Sequence, residues 1–222
     1  MEFIIPDNWK LLFTEAKEEL EELQNFLSDK SFYPKKKDIF RAFELINPED
    51  VKVVIIGQDP YPSKIKTGEP KATGLAFSIR DDDHDIPISL KNIFIELSEN
   101  YEDFKFPKNG NLEKWCTEGV MLLNKGLTVA PGKPNSHVRV WKGFLKRTIE
   151  HIKKKNPKCI FVLWGRQAEE ICEDYLSGFP VLITSHPSGF SFSKGFHGSQ
   201  HFLKINELLI KQNKTTINWN LS

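Results

Sequence analysis

The 222-residue sequence predicts an α/β fold: a single domain over residues 1–222, with a central, mostly parallel four-stranded sheet flanked by helices. Three observations lead there. Four short apolar runs have strand length, helix-like stretches lie between them, and no repeat, low-complexity tract or linker-like change of composition divides the chain. Strands that alternate with helices indicate a layered α/β sandwich.

In chain order, Trp9, Leu12, Phe13, Ala16, Leu20, Leu23, Phe26 and Leu27 recur at three- and four-residue steps, which predicts one amphipathic helix over 9–27. The first strand is expected at Val51–Ile56, followed by helices at Ser89–Asn100 and Leu112–Glu118. A second strand at Val120–Leu123 leads to a helix at Val140–Lys155, and a third at Cys159–Trp164 to a helix at Gln167–Leu176. The fourth strand is Val181–Thr184, and the last helix Gln200–Gln212. Each strand shows little polar alternation, as central parallel strands covered on both faces require. Ser89 and Ser199 are the expected N-caps, and Lys153, Lys154 and Lys155 suit the negative end of a helix dipole. Trp219, in the polar tail, is expected to dock on the domain.

Composition excludes several classes. With 39% hydrophobic and 12% aromatic residues the chain is not intrinsically disordered. Cys116, Cys159 and Cys172 form no CxxC and no Cys/His ligand spacing, so no disulfide scaffold, zinc finger or iron–sulfur site is expected. No apolar run approaches the roughly 18–20 residues of a membrane span. The N-terminus MEFIIPDNWK lacks a signal-peptide pattern, so the expectation is a cytoplasmic protein (nuclear or organellar in a eukaryote), not secreted and without membrane partners. The 31 Lys+Arg and 30 Asp+Glu leave a net charge of +1, so any nucleic-acid partner must be gripped by local features.

Parallel sheets bind ligands outside the carboxyl ends of their strands. Here those ends run into Gly57-Gln58-Asp59-Pro60-Tyr61, Asn124, Gly165-Arg166 and Ser185-His186-Pro187-Ser188. An acid, an amide, a glycine turn and an imidazole thus converge on one edge. Asp59 alone reads as a turn cap, but placed after an apolar strand it can orient a water or stabilise a developing cation. His186, paired with it, becomes a candidate electrophile or acid, while the other histidines are read as structural, His137 and His197 as second-layer groups. Asn124 carries an amide able to read a pyrimidine edge, and Phe77 a ring able to stack on a planar base. The Gly189–Gly195 loop holds Phe190 and Phe192, one explanation for which is an apolar wedge entering a base stack. Asp81–Asp85 reads as a solvated acidic loop without calcium-site spacing, and Lys35–Lys37 as solvated charge.

Together with Gly74-Leu75-Ala76-Phe77-Ser78, Leu122-Leu123-Asn124, Leu127-Thr128-Val129, Asn135-Ser136-His137, Leu163-Trp164-Gly165 and His186-Pro187-Ser188, the Gly57–Tyr61 run resembles the uracil-DNA glycosylases of the family 1 type, in the family's order from about Val51 to Asn206. The resemblance implies a uracil-DNA glycosylase-like fold and an enzyme that flips deoxyuridine from DNA and hydrolyses its N-glycosidic bond with no metal or cofactor. It implies that Asp59 orients the water and steadies an oxocarbenium-like sugar, and that a neutral His186 donates to uracil O2. Phe77 would stack on the base, Asn124 would read its O4/N3 edge, the main chain of Gln58 would contact it, and Tyr61 would stand against C5 to bar thymine.

The sequence departs from the family at Pro62, where a His is common, at Phe190, where the wedge is usually Leu, and at Arg166, where Ser is usual. DNA contacts are expected from Ser89, Gly165, Arg166, Ser188 and Phe190, to uracil-containing DNA, single- or double-stranded. Proteinaceous inhibitors of such enzymes are a further partner class, and a monomer is expected. Lys125, Lys133, Arg166 and Lys194 are expected near the motif edge, with the Asp81–Asp85 acids turned away from the DNA path. The competing reading is a glycosylase-like DNA-binding or replication-partner module with weakened chemistry. A nucleotide-binding hydrolase is disfavoured, since neither GxxxxGK[ST] nor GxGxxG occurs.

Overall fold

A computed structural model describes residues 2–166, 168 and 175–221. At its centre lie β1 (Val53–Gly57), β2 (Val120–Asn124), β3 (Ile160–Trp164) and β4 (Val181–Thr184), in the order β2-β1-β3-β4 with every neighbouring pair parallel. Val51 and Cys159 precede their strands rather than opening them, while Gly57 and Asn124 extend theirs by pairing with each other. That register sets Asn124 directly beside Gly57 at the carboxyl edge. The first three strands are wholly buried, as their apolar sequences require. β4 corrects the expectation of two-sided cover: it is an edge strand, and its Ile183 is 42% exposed.

Seven helices are described: α1 (Lys10–Glu15), α2 (Lys17–Leu27), α3 (Arg41–Glu44), α4 (Ile88–Asn100), α5 (Glu113–Thr117), α6 (Lys142–Lys155) and α7 (His201–Lys211). The single helix expected over 9–27 breaks at Ala16, whose φ of −97° and ψ of 19° leave the helical region. Its apolar stripe nevertheless continues, with Leu12, Phe13, Leu20, Leu23 and Leu27 all buried. The helix expected at Gln167–Leu176 lies mostly outside the described residues, as does Cys172.

Neither expected serine cap forms. Pro87 opens α4 with its fixed φ of −60°, so Ser89 falls inside the first turn and caps nothing. At α7 the cap position is Gln200, in the left-handed region at φ 56°. The N–H groups of Gly198 and Gln200 donate instead to the carboxylate of fully buried Glu96, at 2.7 and 2.8 Å. An anion there is favoured by the helix dipole.

Phe13, Phe40, Phe43, Trp141 and Phe144 pack in tilted and edge-on pairs, each such pair adding roughly 0.5–1.5 kcal/mol beyond burial. Trp219 docks as expected, its ring edge-on to Trp115 and its carbonyl accepting from Trp115 Nε1 at 3.0 Å. Loops leaving Gly57, Asn124, Trp164 and Thr184 share the carboxyl edge that this packing supports.

Candidate active site

On that edge lies a cavity of about 180 Å³ lined by Gln58, Asp59, Tyr61, Phe77, Ser89, Asn124 and His186, with Gly57, Pro60, Pro62 and Leu75 between them. It is smaller than the roughly 300–1,000 Å³ of pockets for drug-sized ligands, and suits one small planar ring. Residues from three strand ends and from the first turn of α4 thus meet where the sheet topology directs a ligand.

Asp59 is fixed by a group that has no side-chain signature. The N–H of Asn135 donates to its Oδ2 at 2.6 Å, and Asn135 can present that N–H because it occupies the left-handed region at φ 65°. Gln58 Nε2 in turn donates to Asn135 Oδ1. Burial raises the Asp59 carboxyl above the ordinary carboxylate range, against the lowering pull of the bonds from Asn135 and Gln58. The carboxylate is therefore held in place but weakly solvated, which sharpens its field at the cavity.

His186 is oriented by its own loop. Ser188 N–H donates to Nδ1 at 3.0 Å, and a backbone N–H can only donate, so Nδ1 carries no proton. The neutral imidazole must then bear its proton on Nε2, the nitrogen left to the cavity. Burial lowers the His186 pKa and favours that neutral form. Behind it, Ser191 Oγ donates to His186 O at 2.7 Å, and Asn92 Nδ2 to Pro187 O at 2.7 Å. Gly165, at φ 96°, lets the turn after β3 approach, since a Cβ there would stand 3.0 Å from His186 Cβ.

Phe77 also sits at positive φ, 64°, a costly conformation for a bulky residue. Tyr61 Oη donates to its carbonyl at 3.1 Å, and its ring lies 5.3 Å from Trp164 and 5.9 Å from His186. Tyr61's hydroxyl pKa is raised, by burial first and then by the Asp83 charge. Asn124 is buried against Gly57, where any Cβ would fall 2.3 Å from Asn124 Oδ1. Only glycine can occupy position 57 with the amide so placed.

The mouth opens into a second cavity of about 360 Å³ that shares Gly57, Gln58, Phe77 and His186 and adds Trp164, Gly165, Arg166, Ala168 and Ser188. Ser188 Oγ lies 2.9 Å from Ser191 Oγ, and Phe190 projects at 93% exposure from the turn they brace. Lys125, Lys133 and Lys194 sit on loops of this edge: Lys125 N–H donates to Gly57 O, Lys133 belongs to the Asn135 loop, and Lys194 to the Phe190 loop. Gly132 N–H donates to Pro62 O at 2.8 Å, so the departure at Pro62 is a point where two cavity loops are tied.

Two readings need correction. Asp81–Asp85 is not uniformly solvated, because Asp83 is buried in an ion pair with Lys71 at 2.7 Å. His197 lies at the surface with Glu99, 2.9 Å away, and is no second-layer group. Lys35–Lys37 is exposed as expected, Lys35 in a surface pair with Glu69. His137 is buried, and its Nδ1 lies 3.0 Å from Thr128 Oγ1, which accepts from Trp141 Nε1 at 2.8 Å; none of these three residues lines the cavity. His201 is structural, as expected: buried, its Nδ1 accepts from Trp164 Nε1 at 3.2 Å, and burial pushes its pKa down to about 4. Burial pushes the Cys116 and Cys159 thiols up to about 12, which makes them inert at neutral pH. Among the described residues no three His, Cys, Asp or Glu side chains are grouped to hold a metal. A larger cleft of about 570 Å³, lined by Val51, Lys52 and Gly119, lies at the opposite end of the strands.

Comparison with known proteins bears on the family and the fold. A model of the uracil DNA glycosylase superfamily matches residues 43–210. A uracil-DNA glycosylase of Mycoplasmopsis pulmonis is 46% identical over 201 residues, spanning 90% of this chain and 87% of that protein. One of Mesomycoplasma hyopneumoniae is 40% identical over 222 residues, spanning 99% and 96%. The crystal structure of a mimivirus uracil-DNA glycosylase superposes with a TM-score of 0.90 at 28% identity, covering 98% of this chain and 88% of that one. A variant of the mimivirus enzyme in complex with UGI superposes at 0.87, with 28% identity and 98% and 89% coverage.

Proposed function

This chain belongs to the uracil DNA glycosylase superfamily, and from that premise we propose which of its residues carry the reaction. The enzyme excises uracil from DNA in base excision repair, as a hydrolase acting on an N-glycosyl bond. Deoxyuridine leaves the base stack and its base enters the 180 Å³ cavity. Phe77 stacks on the ring, Asn124 reads the O4/N3 edge, and the Gln58 main chain contacts the base. As the C1′–N1 bond breaks, its electron pair goes to uracil and positive charge develops on the sugar. Asp59 stabilises that cation and orients the water whose oxygen bonds to C1′. His186 donates from Nε2–H to O2, where the leaving charge collects.

The observation that carries this reading is the Ser188 N–H on His186 Nδ1, which leaves a neutral donor on the same cavity as the part-buried Asp59 carboxylate. The test uses a single-stranded oligonucleotide with one deoxyuridine, in buffer containing EDTA. Free uracil and one alkali-labile site are expected; intact DNA with well-folded protein would overturn the proposal, and activity abolished by EDTA would overturn its cofactor-free chemistry.

Thymine differs from uracil by one methyl, and loss of apolar fit alone is worth only about 1–3 kcal/mol. We assign its rejection to the Tyr61 ring. Tyr61→Ala is expected to gain thymine excision, measured on thymine-containing single strands; a variant still inert on thymine would contradict the assignment.

Ser89, Ser188 and the turn at Gly165 are proposed to grip phosphates with short polar groups, Arg166 to add a charge, and Phe190 to wedge into the vacated stack. The same mouth is the proposed surface for an inhibitor protein of the kind seen with the mimivirus relative. The proposal includes a cytoplasmic monomer formed by one domain over residues 1–222.

A further inference from the structure

Next to the cavity lies a buried ion pair that the reaction does not use. Lys71 and Asp83 are 8% and 5% exposed, and their charges meet at 2.7 Å. Lys71 Nζ also donates to the Asp85 carbonyl at 2.8 Å and stands 3.7 Å from the exposed Asp85 carboxylate. Asp83 Oδ1 accepts from Asp85 N–H at 3.1 Å. One ammonium therefore draws the turn at residues 83–85 inward.

Both directions along the chain lead to the cavity. Lys71 N–H donates to Ser63 O at 3.0 Å, two residues beyond Tyr61, and the Asp83 charge is felt at the Tyr61 hydroxyl. From Asp85 the chain runs through Ile86, Pro87 and Ile88 directly to Ser89, which lines the cavity. Taking two charges out of water is repaid only by good geometry, and an apolar pair would fill the same space at lower cost.

We propose that Lys71 is a positioning residue: through Asp83 and Asp85 it sets the separation of Tyr61 from Ser89 across the cavity, and with it the room available to a substituent at the pyrimidine 5-position. This rests on the reading of the cavity as a uracil site. The test compares kcat and KM of the full chain on single strands carrying uracil, 5-fluorouracil or thymine.

In Lys71→Met, excision of the 5-substituted bases relative to uracil should rise at least fivefold over the unmodified enzyme, and KM for uracil-containing DNA should rise more than kcat falls. The double variant Lys71→Met/Asp83→Leu has no unpaired buried charge, so its Tm should recover while the altered selectivity remains. Selectivity that returns together with Tm would show a merely structural pair and overturn the proposal, as would unchanged selectivity in Lys71→Met. If both variants fail to fold, Asp85→Ala, altered at an exposed carboxylate, should shift selectivity in the same direction by a smaller factor; no shift there overturns the proposal. An unmodified chain that releases no uracil would refute the function itself, whereas an active one with unmoved selectivity refutes only the role of Lys71.

Discussion

Ser188 N–H makes His186 a one-way group: Nδ1 must accept, so Nε2 must donate. Protonation would place a second proton where the backbone already points one, and burial opposes it further. Asp59 must be ionised to act, and burial raises its pKa above the usual ~3.9, while that of His186 lies below the usual ~6.5. Both activities are therefore lost as pH falls. The expected profile of kcat is flat above neutrality with an acid limb between about pH 4 and 6.5. A rate that falls as pH rises through that range would mean that imidazolium is the working form. At this scale much was legible in the sequence, because strand-end positions single out Asp59, Asn124 and His186 before any motif is named. The role of Asn135 was not: Asn is a residue type suited to positive φ, but nothing in its type says that its N–H meets Asp59. Nor was Asp83, because which acid of the run Asp81–Asp85 turns inward depends on Lys71, remote in the chain.

At the scale of elements, apolar runs and helical periodicity marked out all four strands and most helices, while the ends proved harder to read. Periodicity follows the buried stripe and so passes over the break at Ala16, which leaves that stripe intact. Serine preference misplaced both caps, because α4 opens at Pro87 without a side-chain cap bond and Glu96 serves the start of α7. Glu96 ties the start of α7 to α4 through two backbone N–H groups. Glu96→Gln keeps one acceptor but turns an NH₂ toward a donor, which should cost about 2–3 kcal/mol. Thermal unfolding should then move down by roughly 5–10 °C; an unchanged Tm would show that the carboxylate is not the cap. The same helix carries His201, whose bond to Trp164 braces the wall behind Phe77.

For the molecule as a whole, a net charge of +1 suits an enzyme that grips a few phosphates around one nucleotide rather than a long tract. Arg166, exposed beside His186 in the second cavity, is the charge placed to matter most. Arg166→Ser should reduce the slope of log affinity against log salt by about 0.7 on single strands, measured by titration; an unchanged slope would remove Arg166 from the phosphate path. The central claim is that binding and chemistry are separable, with Asp59 serving the second. Its most direct test is single-turnover excision by Asp59→Asn on a uracil-containing single strand, with affinity measured in parallel. The account predicts a rate loss on the order of 10²–10⁴-fold with affinity held within about threefold. Since a raised folded pKa means that the ionised carboxylate destabilises the fold at pH 7, the variant's Tm there should also rise. Excision at the unmodified rate, or a loss traced wholly to weaker binding, would contradict the account.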